Sequence, residues 1–135
     1  MRRPFDVLSD VKDVADLLEG ARIDQARLVP AGGRLNLELE LTRAVLEAQQ
    51  VVRRGPFRRL KTTWIKGRLT LTQLNALALE RFGDAGAQQK PLIWAEAIPG
   101  GYEVVITSPE GLRLRVTAEH LNGVYEDVGS PIESP

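Results

Sequence analysis

The chain has 135 residues, 43% hydrophobic and 27% charged, with 18 basic and 18 acidic side chains and no cysteine. That length and apolar content suit one domain with a single core. The missing cysteines exclude disulfides, thiolate metal sites and cysteine nucleophiles, and the zero net charge argues against binding driven by charge over the whole surface. No apolar stretch approaches the length of a membrane-spanning helix. Asp6, Asp10 and Asp13 interrupt the short runs that follow Arg2 and Arg3, so no signal peptide is read there, and a cytoplasmic location is expected by default.

Leu8, Val11, Val14, Ala15, Leu17 and Leu18 recur at helical spacing, with Ser9 placed to cap and Gly20 to stop. Asp10 and Asp13 suit the positive end of the helix dipole, and with Asp6, Asp16 and Glu19 they make this first element acidic. Its apolar face is expected to cover a sheet.

Residues 23–29 and 34–43 read as strands joined by Pro30-Ala31-Gly32-Gly33. In the second, Leu35, Leu37, Leu39 and Leu41 alternate with Asn36, Glu38, Glu40 and Thr42, so one face is expected in the core and the other in water. Residues 43–54 then allow a second helix, with Val45, Leu46, Gln49 and Val52 on one side and Gly55-Pro56 as its stop. Continuation of the strand, with residues 46–56 as an exposed loop, competes with it. Over 70–82 a strand pattern with a break at Leu74-Asn75, read as a bulge between collinear segments, competes with a helix capped by Thr70 and Gln73; strand is favoured. Phe82 to Ala87 reads as a loop.

From Pro91 to Ala118 the pattern is a three-stranded meander over 92–98, 102–107 and 112–118. Its turns are Pro99-Gly100-Gly101 and Ser108-Pro109-Glu110-Gly111, the second with the chemistry of a type I turn. A short helical turn is expected at 118–121. Residues 1–128 form the domain, and the tail 129–135 is expected to fray.

The residues offer little catalytic chemistry. His120 is the only histidine, so a transition-metal site would rest on carboxylates around one imidazole, and no Gly-x-Ser-x-Gly elbow occurs. Gly32-Gly33 and Gly100-Gly101 lack the continuation of a phosphate-binding loop and read as hairpin turns. No cofactor is expected. Glu38 and Glu40 share a strand face at roughly 7 Å, within the range of a glycosidase pair, and with Glu96 and Glu103 they are the carboxylates a hydrolase would use; a solvated sheet face is the simpler reading.

Between residues 53 and 68 the chain carries Arg53, Arg54, Arg58, Arg59, Lys61, Lys66 and Arg68 with no acidic residue, a local charge of +7. Residues 1–52 hold 7 basic and 9 acidic groups, and 69–135 hold 4 and 9, so the remainder of the molecule could neutralise it. Phe57 and Trp64 lie among these charges and add a stacking or apolar component. Arginine with aromatic residues is the composition of protein interfaces, and basic charge with aromatics also suits nucleic acid.

The expectation is therefore a single α+β domain, a mostly antiparallel curved sheet of five or more strands covered by the N-terminal helix. Its function is expected to be non-enzymatic docking through Arg53, Arg54, Phe57, Arg58, Arg59, Lys61, Trp64, Lys66 and Arg68. The partner would be an acidic protein surface or a second copy in a homodimer, with nucleic acid as the alternative and no membrane.

Overall fold

Alternating leucines build the centre of the molecule. The computed structural model describes residues 1–45, 50–54, 57–61, 63–81, 92–107 and 112–133. Along the chain lie β1 (Arg2–Phe5), α1 (Leu8–Leu17), β2 (Arg22–Ala31), β3 (Arg34–Ala44), β4 (Gln50–Arg54) and β5 (Phe57–Lys61). Then follow β6 (Thr63–Leu74), β7 (Ala76–Arg81), β8 (Ile93–Ile98), β9 (Gly101–Thr107), β10 (Leu112–Ala118), β11 (Gly123–Asp127) and β12 (Ile132–Glu133).

The strands are antiparallel and divide between two main sheets, one ordered β1-β11-β6-β3-β2 with β12 also on β6, the other β7-β10-β9-β8. In β3 the expected alternation holds through Leu41, with Leu37, Leu39 and Leu41 buried and Glu40 exposed, but Thr42, expected on the wet face, is buried, its hydroxyl donating to Asp24 Oδ2 at 2.7 Å. Register places Leu37 beside Leu71 and Leu39 beside Leu69 on β6, and Tyr125 of β11 beside Leu69 from the other side. These residues form one core with Ile93, Val104, Ile106 and Val116 of the second sheet. Burying each such side chain is worth about 1.5–3 kcal/mol, which is why strict period two overrides leucine's weak strand preference.

Phe5 ends one edge strand of the larger sheet and Arg22 begins the opposite one, so the chain between them crosses the sheet's width. Helix α1 makes that crossing and packs on β8 and β1 through Val11, Val14 and Ala15. The β2–β3 turn is closed at Ala31 and Arg34, with Gly32 and Gly33 at φ 58° and 78°. Positive φ at both central positions is the primed turn that matches strand twist, and glycine adopts it without steric cost.

Several expectations change. The helix begins two residues earlier than Ser9 implied: Val7 is its N-cap and offers no side-chain acceptor. Gln50–Arg54 is a strand, in place of both the second helix and the exposed loop that competed with it, while residues 46–49 and the Gly55-Pro56 stop lie outside the described residues. The break at Leu74-Asn75 is real but is a corner: β6 and β7 belong to different sheets, and Asn75 N–H donates to Thr117 O at 2.7 Å. Residues 119–120 bend without forming a helical turn. Two strands went unread: Arg2–Phe5 pairs β11, and Ile132 in the tail pairs Trp64 of β6. The 82–87 loop and the 108–111 turn lie outside the described residues.

Candidate functional site

β3 and β6 are neighbours in the larger sheet, and the chain that connects them carries most of the basic charge. Their ladder ends at Ala44 beside Trp64, with Val45 N–H donating to Thr63 O at 2.7 Å. Beyond this point β4 and β5 pair only with one another, as a two-stranded antiparallel ribbon. Register sets Arg53 opposite Arg58, Arg54 opposite Phe57, Val52 opposite Arg59, and Gln50 opposite Lys61. Five basic residues and no acidic one thus lie on ten residues of ribbon.

The other basic residues of the segment stand elsewhere. Lys66 and Arg68 belong to β6 within the main sheet; Lys66 is exposed, and an Arg68 Nη2 lies 3.7 Å from Glu40 Oε1. Register also places Arg68 beside Glu126 of β11, so acidic neighbours on two strands offset its charge. Trp64 is half-buried at the root of the ribbon, between Ala44 and Ile132. The segment is therefore a ribbon of five charges plus a paired sheet face, and not one continuous patch.

The carboxylates on that face are tied to arginines. Arg27 Nη2 donates to Glu38 Oε2 at 2.5 Å, and this hydrogen bond and charge hold the Glu38 carboxyl below the usual range. Arg115 Nη1 donates to Glu103 Oε1 at 2.6 Å. A general acid needs a carboxyl raised toward neutrality; Glu38 is shifted the other way.

His120 lies at the lip of an open cleft of about 630 Å³, next to Arg34, Asn36, Thr72, Gln73 and Glu119. Arg34 donates to Asn75 Oδ1 and sits 3.7 Å from Glu119, while Asn36 Oδ1 accepts the Gln73 N–H at 3.2 Å. Gln73 is the one non-glycine residue at positive φ among those described, 59°, where the chain turns from sheet to sheet. The polar groups here mostly hold the corner together.

A buried polar cluster closes one end of the core. Arg43 is 1% exposed; its Nε and Nη2 donate to the two oxygens of Asp127 at 3.1 and 3.0 Å, and Tyr125 Oη donates to Asp127 Oδ1 at 2.6 Å. Burial works to raise the Asp127 pKa, but the hydrogen bonds from Arg43 and Tyr125 outweigh it and hold the carboxyl below the ordinary aspartate range. Burial, then the hydrogen bond to Asp127, pushes the Tyr125 phenol above its ordinary value. An ion pair with every charge satisfied, facing the core, is a structural device. Its sequence signal was the parity of β3, since position 43 continues the buried series 37, 39, 41.

Among the described residues no group of three or more histidine, cysteine or acidic side chains is placed to hold a metal ion, and no helix is long and apolar enough to cross a membrane. Comparison with protein-family models, with curated proteins and with solved structures finds no match for this chain.

Proposed function

We propose that the protein is a non-enzymatic interaction domain that docks its basic β4–β5 ribbon on an acidic protein surface. The observation that carries this reading is the ribbon itself: five arginine and lysine residues on a strand pair that belongs to neither main sheet. Like charges gathered on ten residues repel one another, and a partner of opposite charge relieves that repulsion. Val51, Val52, Phe57 and Leu60 lie in the same two strands and would add apolar contact area of the kind that interface cores use.

Nucleic acid is the second reading, favoured by one observation. A two-stranded ribbon is an element that the major groove of B-DNA admits. The charge of the remainder weighs against it, because residues 1–52 carry net −2 and residues 69–135 net −5. A long polyanion that extended past the ribbon would face that acidic remainder, whose repulsion acts over about one Debye length, ~8 Å at physiological salt. A local acidic epitope on a protein would not.

The test is fluorescence anisotropy with a labelled acidic peptide and with labelled single-stranded and duplex oligonucleotides, at about 20 and about 150 mM salt. Wild type and Arg58→Glu/Arg59→Glu are compared. Peptide binding that the double substitution abolishes supports protein docking. Salt-sensitive oligonucleotide binding lost in the same variant would replace it with the nucleic-acid reading, and no ribbon-dependent binding to any probe would end both.

A further inference from the structure

We propose that the acidic surface that receives the ribbon is helix α1 of a second copy of this chain, so that the protein self-associates by seating ribbon on helix. The proposal rests on the docking reading above and names its partner.

Four observations on α1 carry it. The segment from Asp6 to Glu19 holds Asp6, Asp10, Asp13, Asp16 and Glu19 against the single basic Lys12. Among the described residues none of those five carboxylates forms an ion pair, although the basic ribbon belongs to the same chain. The N-terminal end of the helix is apolar and open to solvent, with Val7 48% and Leu8 39% exposed. Between α1 and β8 runs a groove of about 390 Å³ with Leu8, Val11, Ala15, Ile93, Trp94 and Ala95 along it and Asp16 and Lys12 beside it.

The ribbon complements this surface in sign, chemistry and length. Its Arg53, Arg54, Arg58, Arg59 and Lys61 match the helix carboxylates, and Val51, Val52, Phe57 and Leu60 match the apolar groove. Five strand residues span about 17 Å, and the ten residues of α1 span about 15 Å. Each copy carries one ribbon and one acidic helix, so two copies close as a pair when each seats its ribbon on the other's helix; such closure ends the association at a dimer.

Sedimentation velocity with charge-reversed variants tests this. Arg53→Glu/Arg58→Glu/Arg59→Glu takes the ribbon from +5 to −1, and Asp13→Lys/Asp16→Lys/Glu19→Lys takes the Asp6–Glu19 segment from −4 to +2. The expected result is a wild-type dimer at about 20 mM salt that dissociates at about 300 mM. Each variant alone is monomeric at low salt, its dimer weakened at least tenfold, because like charge then faces like. An equimolar mixture of the two variants dimerises again, since both of its contacts are complementary. A wild-type monomer at low salt, variants that dimerise as wild type does, or a mixture that stays monomeric would each overturn the proposal. Acidic-peptide binding measured on the same samples separates the two levels: if it persists while wild type is monomeric, the ribbon docks on another protein; if it is absent too, the docking reading falls with it.

Discussion

Gly67 faces the ring of Tyr125 so closely that a Cβ at position 67 would lie 2.1 Å from the phenol oxygen and 2.6 Å from two ring carbons. The glycine leaves a notch on the inner face of β6, and through that notch Arg43 of β3 reaches across to Asp127 of β11. Tyr125 cannot swing away, because its hydroxyl is fixed by Asp127 and its ring is fully buried. Gly67→Ala is therefore expected to cost about 3 kcal/mol or more, the upper range for overpacking a core. Urea denaturation measures it. Tyr125→Phe in the same chain removes the 2.1 Å contact but leaves ring carbons at 2.6 Å, so it should give only partial relief; full recovery of stability in that double variant would mean the notch is not needed for the ring.

The Arg43–Asp127 pair should respond to substitution in a way that separates pairing from packing. Arg43→Met leaves Asp127 with the Tyr125 hydroxyl and the N-terminal ammonium, 3.7 Å away, and should destabilise by about 3 kcal/mol, the lower end of the usual cost of breaking a buried pair. Removing both charges, Arg43→Met with Asp127→Leu, is expected to return most of that loss, because desolvation of the two ions disappears together with their attraction. A double variant no better than the single would show that the charges themselves hold this end of the core.

Acid and base should weaken the fold through the same cluster. The Asp127 carboxyl is held below its unfolded value, so its stabilisation is complete above about pH 4 and is lost as pH falls through the folded value. The Tyr125 phenol is raised, so its contribution is complete below about pH 10 and is lost as pH rises beyond that. Stability measured against pH should show both limbs. Asp127→Asn should flatten the acid limb and Tyr125→Phe the alkaline one, and unchanged limbs in these variants would assign the pH dependence to other groups.

Gln73 holds φ 59° at the corner between the sheets, a conformation that costs a side chain about 1 kcal/mol. Gln73→Gly removes that strain without deleting the N–H that donates to Asn36, because the bond is made by the backbone. The variant is expected to be more stable by at most about 0.5 kcal/mol, after the entropy of a freer unfolded chain is counted. A loss of stability would mean that the glutamine side chain itself supports the corner.

The pairs on the outer face of the main sheet should matter little. Arg27 is exposed and Glu38 half-buried, so the pair remains open to water, where attraction is screened and ordering two long side chains offsets the gain. Glu38→Gln is expected to leave the thermal midpoint unchanged within measurement, and a clear drop would show that the cross-strand charge lattice contributes to sheet order.

Local signals determined much of this protein. The β2–β3 hairpin was legible from two glycines and a strict leucine alternation, α1 from its 3.6-residue period, and the meander of β8, β9 and β10 from three apolar runs between turn residues. In each case the residues that decide the element lie within one element or one turn. The clustering of basic charge between 53 and 68 was likewise visible, because charge is a property of residue type alone.

Tertiary structure decided the rest, for physical reasons that can be located. β1 is too short and too polar to announce itself, and it is a strand because Arg2 to Phe5 find unpaired backbone groups on β11. β12 does the same on β6. Leu74-Asn75 is a corner and not a bulge because the two sheets share one core, a fact no window of sequence contains. Arg43 reads as the polar end of a strand until Tyr125 and Asp127 arrive from 82 and 84 residues away to satisfy it. The same long-range pairing split the basic segment, leaving Lys66 and Arg68 in the sheet beside acidic neighbours and the other five charges on the ribbon. Hydrophobic period and turn chemistry act over a few residues and are written in the sequence; edge pairing, buried charge and the division of strands between sheets depend on which distant backbone comes alongside, and only the folded chain supplies that.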